Sequence, residues 1–306
     1  MSPEEARLRL RGTVGRGLQR LGWPGRAIPD GTLFDVGLLR TRLAAEIEAA
    51  VRRRCCTVPV SADTALCRAL GRYKMYVDLA DEGLSPHLML DGVWELGTTR
   101  ALACRVGEGV TAFDVGANLG YYTLLLAELV GAAGHVHAAE PNPHVMSRLH
   151  RSVRLNGFAA RVSLHAAPLG AAGGEEVVLH VPEGLPQNAS LRGGGREGAV
   201  RHVLRTTTLD EIVGDGPVGF VKIDAEGAEQ AIWQGMARLL ARRERLTVFV
   251  EFTPDRYEDP AAFLRQMLAT GFALSIVDAD GTVRPVGFDA VLAGPRHEDR
   301  MLVLER

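Results

Sequence analysis

Short apolar runs alternate with stretches of helical periodicity along most of the chain after residue 110. The apolar runs predict strands at 111–115, 135–139, 161–165, 218–223, 246–252, 272–277 and 301–304. The periodic stretches predict helices at about 119–130, 143–155, 226–241 and 260–270. Such alternation predicts a mostly parallel sheet covered by helices on both faces, because parallel neighbours need a crossover connection. The predicted fold class is therefore α/β, a doubly wound, Rossmann-like sheet.

The first part of the chain has a different pattern. Residues 4–22 and 35–54 place Leu, Ala and Val among arginines at helical spacing, which predicts a helical N-terminal region over 1–71. From Arg72 alternation and turn residues predict a hairpin that leads into the main domain, 72–306. We expect any homo-oligomer to form through the N-terminal helices.

One long segment, 182–202, is rich in glycine and polar residues and has no apolar period. Long loops in compact domains are often lids over a site, and a plain surface insertion explains the segment equally well. Both interpretations stay open from the sequence.

Composition and charge narrow the class of protein. Hydrophobic residues make up 46% and charged residues 24%, which is typical of a soluble globular protein. The first 54 residues hold 11 Arg and 6 acidic residues, and the remainder holds 24 basic and 31 acidic residues. Arg-rich helices are more often solvated faces than binding surfaces, so we assign neither a nucleic acid nor a membrane partner.

The cysteine pattern and the N-terminal sequence both bear on the compartment in which the protein is expected, and both favour a reducing one. No C-x-x-C pair is present, and a chain of this size needs no disulfide framework. The chain has no apolar run long enough to span a bilayer and no signal-peptide pattern at its start. We therefore expect a cytoplasmic protein without a membrane span. The four cysteines are Cys55, Cys56, Cys67 and Cys104.

A glycine-containing loop follows the first predicted strand of the main domain. A dinucleotide fingerprint would read G-x-G-x-x-G, but its middle glycine is Asn118 here, between Gly116 and Gly120. Asp114, just before the loop, would repel a phosphate and suit an ammonium group, while the helix N-terminus after Gly120 would accept a carboxylate. An amino-acid moiety carries both groups, so we assign Asp114, Gly116, Asn118 and Gly120 to its binding.

The next predicted strand ends at another acid, Glu140, 24 residues after Gly116. A carboxylate at this position accepts hydrogen bonds from the hydroxyls of a ribose. Ribose and amino acid together predict S-adenosylmethionine as the cofactor. Pro141 and Asn142 follow at the same strand end and are assigned to the same site; Asn142 is also the predicted N-cap of the helix over 143–155.

A set of motifs between about residues 72 and 254 carries a family resemblance. They are "LSPHLMLDGVWE", "DVGANLGYYTLLLAELVG", "AAEPNP", "RLNG", "TTLDEI", "VKIDAEGAE" and "VFVEF". Together they resemble the FkbM family of S-adenosylmethionine-dependent methyltransferases. The resemblance implies a class I methyltransferase fold, with seven strands of which the last is antiparallel. It also implies O-methylation of a hydroxyl on a natural product or a glycan.

The strand ending in "VKIDAEGAE" contains charged residues where a central parallel strand is normally apolar. Lys222 and Asp224 lie on one side of it, so they are expected to pair with each other or with Glu226 or Glu251. We assign Lys222, Asp224 and Glu226 to catalysis, where Lys222 or Asp224 orients and deprotonates the acceptor; Asp224 is also assigned to the cofactor. The alternative is a structural ion pair. Carboxylates at 224, 226 and 251 suit Mg²⁺, but their spacing is not a metal signature, so metal stays undecided.

Other residues are weaker candidates. Tyr121 is assigned to the methionine end of the cofactor, with core packing as the alternative, and Ala166, with Ala167, to an adenine pocket. Asn188 and Ser190 in the long loop are candidate acceptor contacts. Histidines in or beside strands are more often structural than catalytic. They are His135, His137, His165 and His180.

Two other functions are compatible with the same topology. A nicotinamide-dependent (NAD(P)) oxidoreductase is one, although Asp114 and Asn118 argue against a dinucleotide. A module that binds the cofactor without turnover is the other, and it predicts that the Lys222–Asp224 pair is dispensable.

Overall fold

The computed structural model describes residues 31–184, 189–191 and 200–306. Residues 33–306 form one compact unit. The predicted helix at 4–22 lies outside the described residues.

The centre of the molecule is an eight-stranded sheet with the order β12-β11-β13-β10-β9-β4-β5-β6. Its strands are β4 (Thr111–Val115), β5 (His135–Ala139), β6 (Val162–His165), β9 (Phe220–Ile223), β10 (Thr247–Phe252), β11 (Ala273–Val277), β12 (Val283–Pro285) and β13 (Arg300–Glu305). The five strands from β10 to β6 in this order run parallel. The last strand, β13, is antiparallel to both of its neighbours. The doubly wound α/β fold and the antiparallel last strand are thereby confirmed.

The number of strands needs a correction, because β12 makes eight strands where seven were predicted. It contributes three residues to the sheet edge, where it pairs antiparallel with β11. A strand this short is too small to produce a recognisable alternation of polar and apolar residues.

Helices cover the sheet. They are α1 (Ala44–Arg52), α2 (Leu84–Leu90), α3 (Leu96–Ala103), α4 (Tyr121–Leu129), α5 (Pro143–Leu155), α6 (Leu209–Val213), α7 (Glu229–Gln234), α8 (Ala237–Ala241), α9 (Pro260–Leu268) and α10 (Phe288–Ala293). Short 3-10 helices lie at Val36–Arg40 and Pro254–Arg256. The predicted helix at 226–241 is divided into α7 and α8 at Gly235. A Cβ there would lie 2.0 Å from the carbonyl oxygen of Gly170, so close backbone packing requires glycine.

The N-terminal region is partly strand. β1 (Thr57–Pro59) and β2 (Thr64–Ala69) join β3 (Tyr73–Asp78) in a three-stranded antiparallel sheet. This corrects the predicted helical character of the region 1–71 at residues 57–69, which form strands; burial alternates along part of β2. The division of the chain at residue 72 stays a prediction.

A second small sheet flanks the long segment 182–202. β7 (Glu176–Val181) and β8 (Val200–Arg205) pair antiparallel on either side of it. Ser190, within the segment, exchanges two backbone hydrogen bonds with His180 of β7. Part of the segment is therefore held against a strand.

Candidate active site

The carboxyl ends of β4, β5, β9 and β10 open into a cavity of about 380 Å³. This is the edge where ligands bind in doubly wound sheets, and the volume is within the range of small-molecule sites. The walls also include Gly83, Leu84, Trp94 and Glu95 from the segment around α2, and Leu179, Ala189 and Leu191 from the β7–β8 region.

The cavity brings together nine of the residues assigned to the site from the sequence. They are Gly116, Asn118, Tyr121, Glu140, Pro141, Ala167, Lys222, Asp224 and Glu226. Four predicted residues are not among its lining residues: Asp114, Gly120, Asn142 and Ala166. Asn188 lies outside the described residues, and the hydroxyl of Ser190 donates to the backbone carbonyl of Glu226, 3.3 Å away.

The two glycines of the loop after β4 are required by packing against the protein itself. Gly116 has φ +76°, and a Cβ on it would lie 1.7 Å from the carbonyl oxygen of Asp224. Gly120 has φ +94°, and its Cβ would lie 2.3 Å from Leu149 Cδ1. Asn118, between them, adopts a left-handed φ of +48°, which asparagine tolerates better than most residues. The loop is therefore a tight turn that brings backbone to the cavity wall.

Glu140 is a buried acid of the cavity wall, with 7% of its surface exposed. Its Oε2 accepts the backbone N–H of Asn118 at 2.9 Å and its Oε1 that of Asn142 at 2.8 Å. Each carboxylate oxygen has a second lone pair, so the side chain retains capacity for two hydroxyl donors. Burial raises the pKa of Glu140 to about 7, against the two backbone bonds that lower it.

Asp114 lies beneath the cavity, fully buried in β4. Its Oδ2 accepts a hydrogen bond from Thr123 Oγ1 at 2.6 Å, and Lys222 is its register partner on β9. Burial raises the pKa of Asp114, while the Lys222 charge opposes the rise. Its Oδ1 has no hydrogen-bond partner within the described residues. In this arrangement Asp114 is a buried counter-charge to Lys222, and its assignment to the ammonium group remains a prediction.

Lys222 and Asp224 form the predicted pair at the tip of β9. Lys222 is 1% exposed, and its Nζ donates to Asp224 Oδ2 at 2.9 Å. The ammonium also lies 4.6 Å from the centroid of the Tyr122 ring, which is a cation–π contact. Burial alone would lower the pKa of Lys222, but the charges of Asp224 and Asp114 outweigh it and raise the pKa. Lys222 thus stays protonated.

Asp224 is the ionised member that faces the cavity, with 22% of its side chain exposed. Burial raises its pKa, but the Lys222 charge and hydrogen bond outweigh this effect and hold the pKa below its usual value. An anion beside a permanently protonated amine can accept a proton from a ligand, whereas Lys222 cannot. The geometry therefore favours Asp224 over Lys222 as the proton acceptor.

Arg256 joins the acids around the tip of β10. Its guanidinium contacts Glu226 Oε2 at 3.0 Å and also pairs with Glu251. Burial raises the pKa of Glu226 to about 7, against the opposing charge of Arg256. Asp299 lies 3.8 Å from the same guanidinium. Glu226 is thus one carboxylate of a shared network around Arg256.

The wall residues that sequence reasoning missed include Trp94, Glu95 and Arg256. Glu95 accepts a hydrogen bond from the Tyr122 hydroxyl at 2.8 Å, which ties the N-terminus of α3 to α4. Trp94 and Glu95 end the motif "LSPHLMLDGVWE", so the sequence did contain a signal for these two residues. Arg256 lies in an irregular segment, and nothing local indicated that it would meet Glu226.

The structure also shows where Tyr121, Ala166, Ala167 and Asn142 lie. Tyr121 lines the cavity, and its hydroxyl lies 3.1 Å from Thr99 Oγ1. Ala166 is exposed, whereas Ala167 lines the cavity with Pro168 and Leu169, as an apolar wall suited to an adenine ring. The helix N-cap role of Asn142 is confirmed, since its Oδ1 accepts the His144 N–H at 3.1 Å.

The strand histidines bond to neighbours across β5 and β6. His135 lies 2.8 Å from Ser163 Oγ, and His137 Nδ1 lies 3.0 Å from His165 Nε2. None of these histidines lines the cavity. Among the described residues no group of three or more His, Cys, Asp or Glu side chains is arranged to hold a metal ion.

Known proteins share parts of this chain. A curated relative, the tRNA wybutosine-synthesizing protein 2 homolog of Danio rerio, is 40% identical over 58 residues, which cover 19% of this chain and 14% of that protein. The crystal structure of methyltransferase FkbM from Methylobacillus flagellatus KT is similar with a TM-score of 0.42 and 16% identity, over 64% of this chain and 44% of that one. A SAM-dependent O-methyltransferase from Thermotoga maritima also has a TM-score of 0.42, with 14% identity over 79% of this chain and 77% of that one.

These likenesses are limited in extent. The chain spans less than half of the Methylobacillus structure and a small part of the Danio rerio protein. Such TM-scores add no weight to the fold assignment, which follows from the strand order itself. No described helix is both long and apolar enough to cross a bilayer.

The family model described as the methyltransferase FkbM domain matches residues 114–274. This range begins at Asp114 and includes Glu140, the Lys222–Asp224 pair and the β10 tip. The match covers more than half of the chain and the strand ends that form the cavity. The chain therefore belongs to the FkbM family of methyltransferases, which use S-adenosylmethionine as cofactor.

Proposed function

We propose that this protein methylates a hydroxyl oxygen of a small-molecule natural product or a glycan. The observation that carries the proposal is the pairing of Asp224 with a buried, protonated Lys222 in the wall of the same cavity as Glu140. One wall thus offers acceptors for ribose hydroxyls, and the facing strand tip offers a proton acceptor.

The residues present fit S-adenosylmethionine. Glu140 has lone pairs left for ribose hydroxyls, and the wall at Ala167, Pro168 and Leu169 is apolar enough for adenine. The backbone of the loop after β4, from Gly116 to Asn118, reaches the cavity beside Tyr121. When bound, the cofactor supplies a methyl group on a positively charged sulfonium.

The contribution of the chain is to hold the acceptor and to take its proton. Asp224 would accept the hydroxyl proton as the oxygen becomes nucleophilic, and the Lys222 ammonium would stabilise the resulting negative charge. The Arg256 network keeps Glu226 and Glu251 near this point. Trp94 adds an apolar surface on which a sugar ring or other flat face can pack.

The charge of the cavity supports oxygen over nitrogen. Six acids line it against two basic side chains, Lys222 and Arg256. The six are Glu95, Glu140, Asp224, Glu226, Glu251 and Asp299. Burial raises the pKa of Glu251 well above its usual value and those of Glu140 and Glu226 to about 7, so the ionised acids outnumber the two cations only slightly. The remaining negative charge raises the pKa of an amine and favours its protonated form, which has no lone pair for attack. A hydroxyl retains its lone pairs under the same conditions.

The test is a screen with methyl-labelled S-adenosylmethionine, run with and without a chelator. The acceptors are methyl glycosides of hexoses and 6-deoxyhexoses, polyketide alcohols, and matched amines. We expect label on an oxygen of at least one hydroxyl compound, identified by mass and NMR. Transfer to amines alone would contradict O-methylation, and binding of the cofactor without transfer to any compound would favour a non-catalytic module. Loss of transfer with chelator would show a need for metal.

Asp224→Asn is the first variant to compare. Since Asn keeps the shape but cannot accept the proton, we expect turnover to fall about 10²- to 10⁴-fold, with cofactor affinity nearly intact by calorimetry. Asp278→Asn, which changes a carboxylate paired with Arg284 outside the cavity, is the matched control. Unchanged turnover in Asp224→Asn would remove this residue from the reaction.

A further inference from the structure

The loop after β9, which carries Asp224 and Glu226, and the loop after β10, which carries Arg256, are joined by a buried pair, Glu229 and Tyr257. Glu229, in the first turn of α7, is fully buried and does not line the cavity. Its Oε1 accepts the backbone N–H groups of Ala225 at 2.9 Å and Gly227 at 3.1 Å. One carboxylate oxygen thus holds the backbone on both sides of Glu226.

The other oxygen of Glu229 reaches the loop after β10. Its Oε2 accepts the hydroxyl of Tyr257 at 2.8 Å, and Tyr257 is 4% exposed. The Tyr257 ring is fixed by Phe252, with centroids 5.2 Å apart, and by Phe263, at 4.9 Å. The bond therefore connects the β9 loop to a well-packed anchor next to Arg256.

The β9 loop has a backbone that needs such support. Glu226 has φ +52°, a left-handed conformation that is unfavourable for a residue with a Cβ, and Gly227 follows with φ +95°. Conformations of this kind persist when surrounding contacts hold them in place. The amide bonds to Glu229 lie on either side of the unfavourable residue.

We propose that Glu229 and Tyr257 are positioning residues that set the place of Glu226 and Asp224 relative to Arg256, and so the shape of the acceptor wall. This inference rests on the proposed methyl transfer to a hydroxyl. Both residues act through the loops and touch neither the cavity nor the proton. Glu140 and the apolar wall at 167–169 lie on other elements, so we expect loss of the pair to affect the acceptor much more than the cofactor.

The test compares four variants with the wild type, using the hydroxyl compound that the screen identifies. Tyr257→Phe removes the hydroxyl, which donates to Glu229 at 2.8 Å and also lies 3.4 Å from the backbone carbonyl oxygen of Glu251, and keeps the packed ring. Glu229→Met removes every bond at similar volume, whereas Glu229→Gln keeps an oxygen for the two amides and an N–H₂ for Tyr257. Tyr73→Phe, another buried tyrosine away from the cavity, is the matched control.

We expect Tyr257→Phe and Glu229→Met to lower kcat/KM for the acceptor by at least about tenfold, because small displacements of positioned groups have large effects on rate. Their Kd for S-adenosylmethionine, by calorimetry, should stay within about threefold of the wild type. Glu229→Gln should restore most of the acceptor kcat/KM, and Tyr73→Phe should not change it.

Three results would contradict the inference. They are an unchanged acceptor kcat/KM in Glu229→Met and Tyr257→Phe, an equal loss of cofactor affinity in those variants, and failure of Glu229→Gln to restore activity that Glu229→Met has lost. If Glu229→Met does not fold, the first two comparisons are decided by Tyr257→Phe. Absence of wild-type turnover with every hydroxyl compound would instead overturn the proposed function, and the inference with it.

Discussion

Glu140 accepts hydrogen bonds from the amides of Asn118 and Asn142, and its position at the tip of β5 makes it the proposed ligand for the ribose. The Glu140 side chain therefore has two roles, one in loop structure and one in the proposed ligand binding. The backbone bonds order the loop after β4 and the start of α5, and the side chain, with lone pairs to spare, lines the cavity. An experiment on a Glu140 variant must therefore distinguish the loss of a hydrogen bond to the ligand from the loss of loop order.

We expect Glu140→Ala to weaken cofactor binding at least about tenfold, because two charge-assisted hydrogen bonds to ribose are lost. Calorimetry should compare S-adenosylhomocysteine with its 2′-deoxy analogue in wild type and variant. The wild type should prefer the compound with the hydroxyl, and the variant should lose that preference. Equal discrimination by both proteins would assign the effect to loop order alone.

At the scale of elements, the site depends on close contact between the loops after β4 and β9. Gly116 and the carbonyl of Asp224 touch so closely that no side chain fits between them. This contact joins the cofactor side of the cavity to the strand tip that carries Lys222 and Asp224. The Glu229–Tyr257 bond then joins β9 to β10, so three neighbouring strand tips form one connected wall.

Gly116→Ala tests this contact against a glycine with the same backbone angle. Gly157 also has φ +76°, but a Cβ there would meet no atom within 4 Å. We expect Gly157→Ala to lower the free energy of unfolding by about 1 kcal/mol through its positive φ. Gly116→Ala should lower the free energy of unfolding by about 1 to 3 kcal/mol more than Gly157→Ala does, because its Cβ would overlap the carbonyl oxygen of Asp224. Denaturant unfolding measures both, and equal costs would show that the two loops can move apart.

At the scale of the whole molecule, pH acts on stability through buried titratable groups. Burial, followed by the charges of His135 and His165, lowers the pKa of His137 to about 4. Histidine in an unfolded chain titrates near 6.5. The folded protein therefore binds this proton more weakly, and the stability contributed by neutral His137 is present above pH 6.5 and lost as pH falls towards 4.

His137→Asn should reduce this acid sensitivity, since asparagine does not titrate and keeps a hydrogen-bonding atom near the Nδ1 position. We expect the free energy of unfolding of the wild type to fall by about 1 to 3 kcal/mol more than that of the variant between pH 6.5 and 4. Denaturant unfolding at several pH values provides the comparison. His297→Asn, at an exposed site, is the control. If the free energy of unfolding of the wild type and of His137→Asn changes with pH in parallel, His137 is not a source of the acid sensitivity.

Local patterns predicted the main elements because each depends on nearby residues. The helix predicted at 143–155 coincides with α5, whose start has Asn142 as N-cap and Pro143 in the first turn. Strands β4 and β5 were also predicted with their observed bounds. The edge strand β12 and the β1–β2 pair were missed, since β12 and β1 are three residues long, too short to show an alternation of their own, and are held by hairpin pairing with β11 and β2.

The sequence by itself determined the α/β order, the tight loop after β4 and the acids at the ends of β5 and β9, because short-range periodicity and turn chemistry encode them. Apart from the Lys222–Asp224 pair, which lies on one face of a single strand, only the tertiary structure decided which side chains meet. It placed Asp114 beneath the cavity beside Lys222, and it brought Glu95, Glu226 and Arg256 to one site from separate segments. The physical reason is that strand register and loop packing set these contacts, and both depend on residues far apart in the chain.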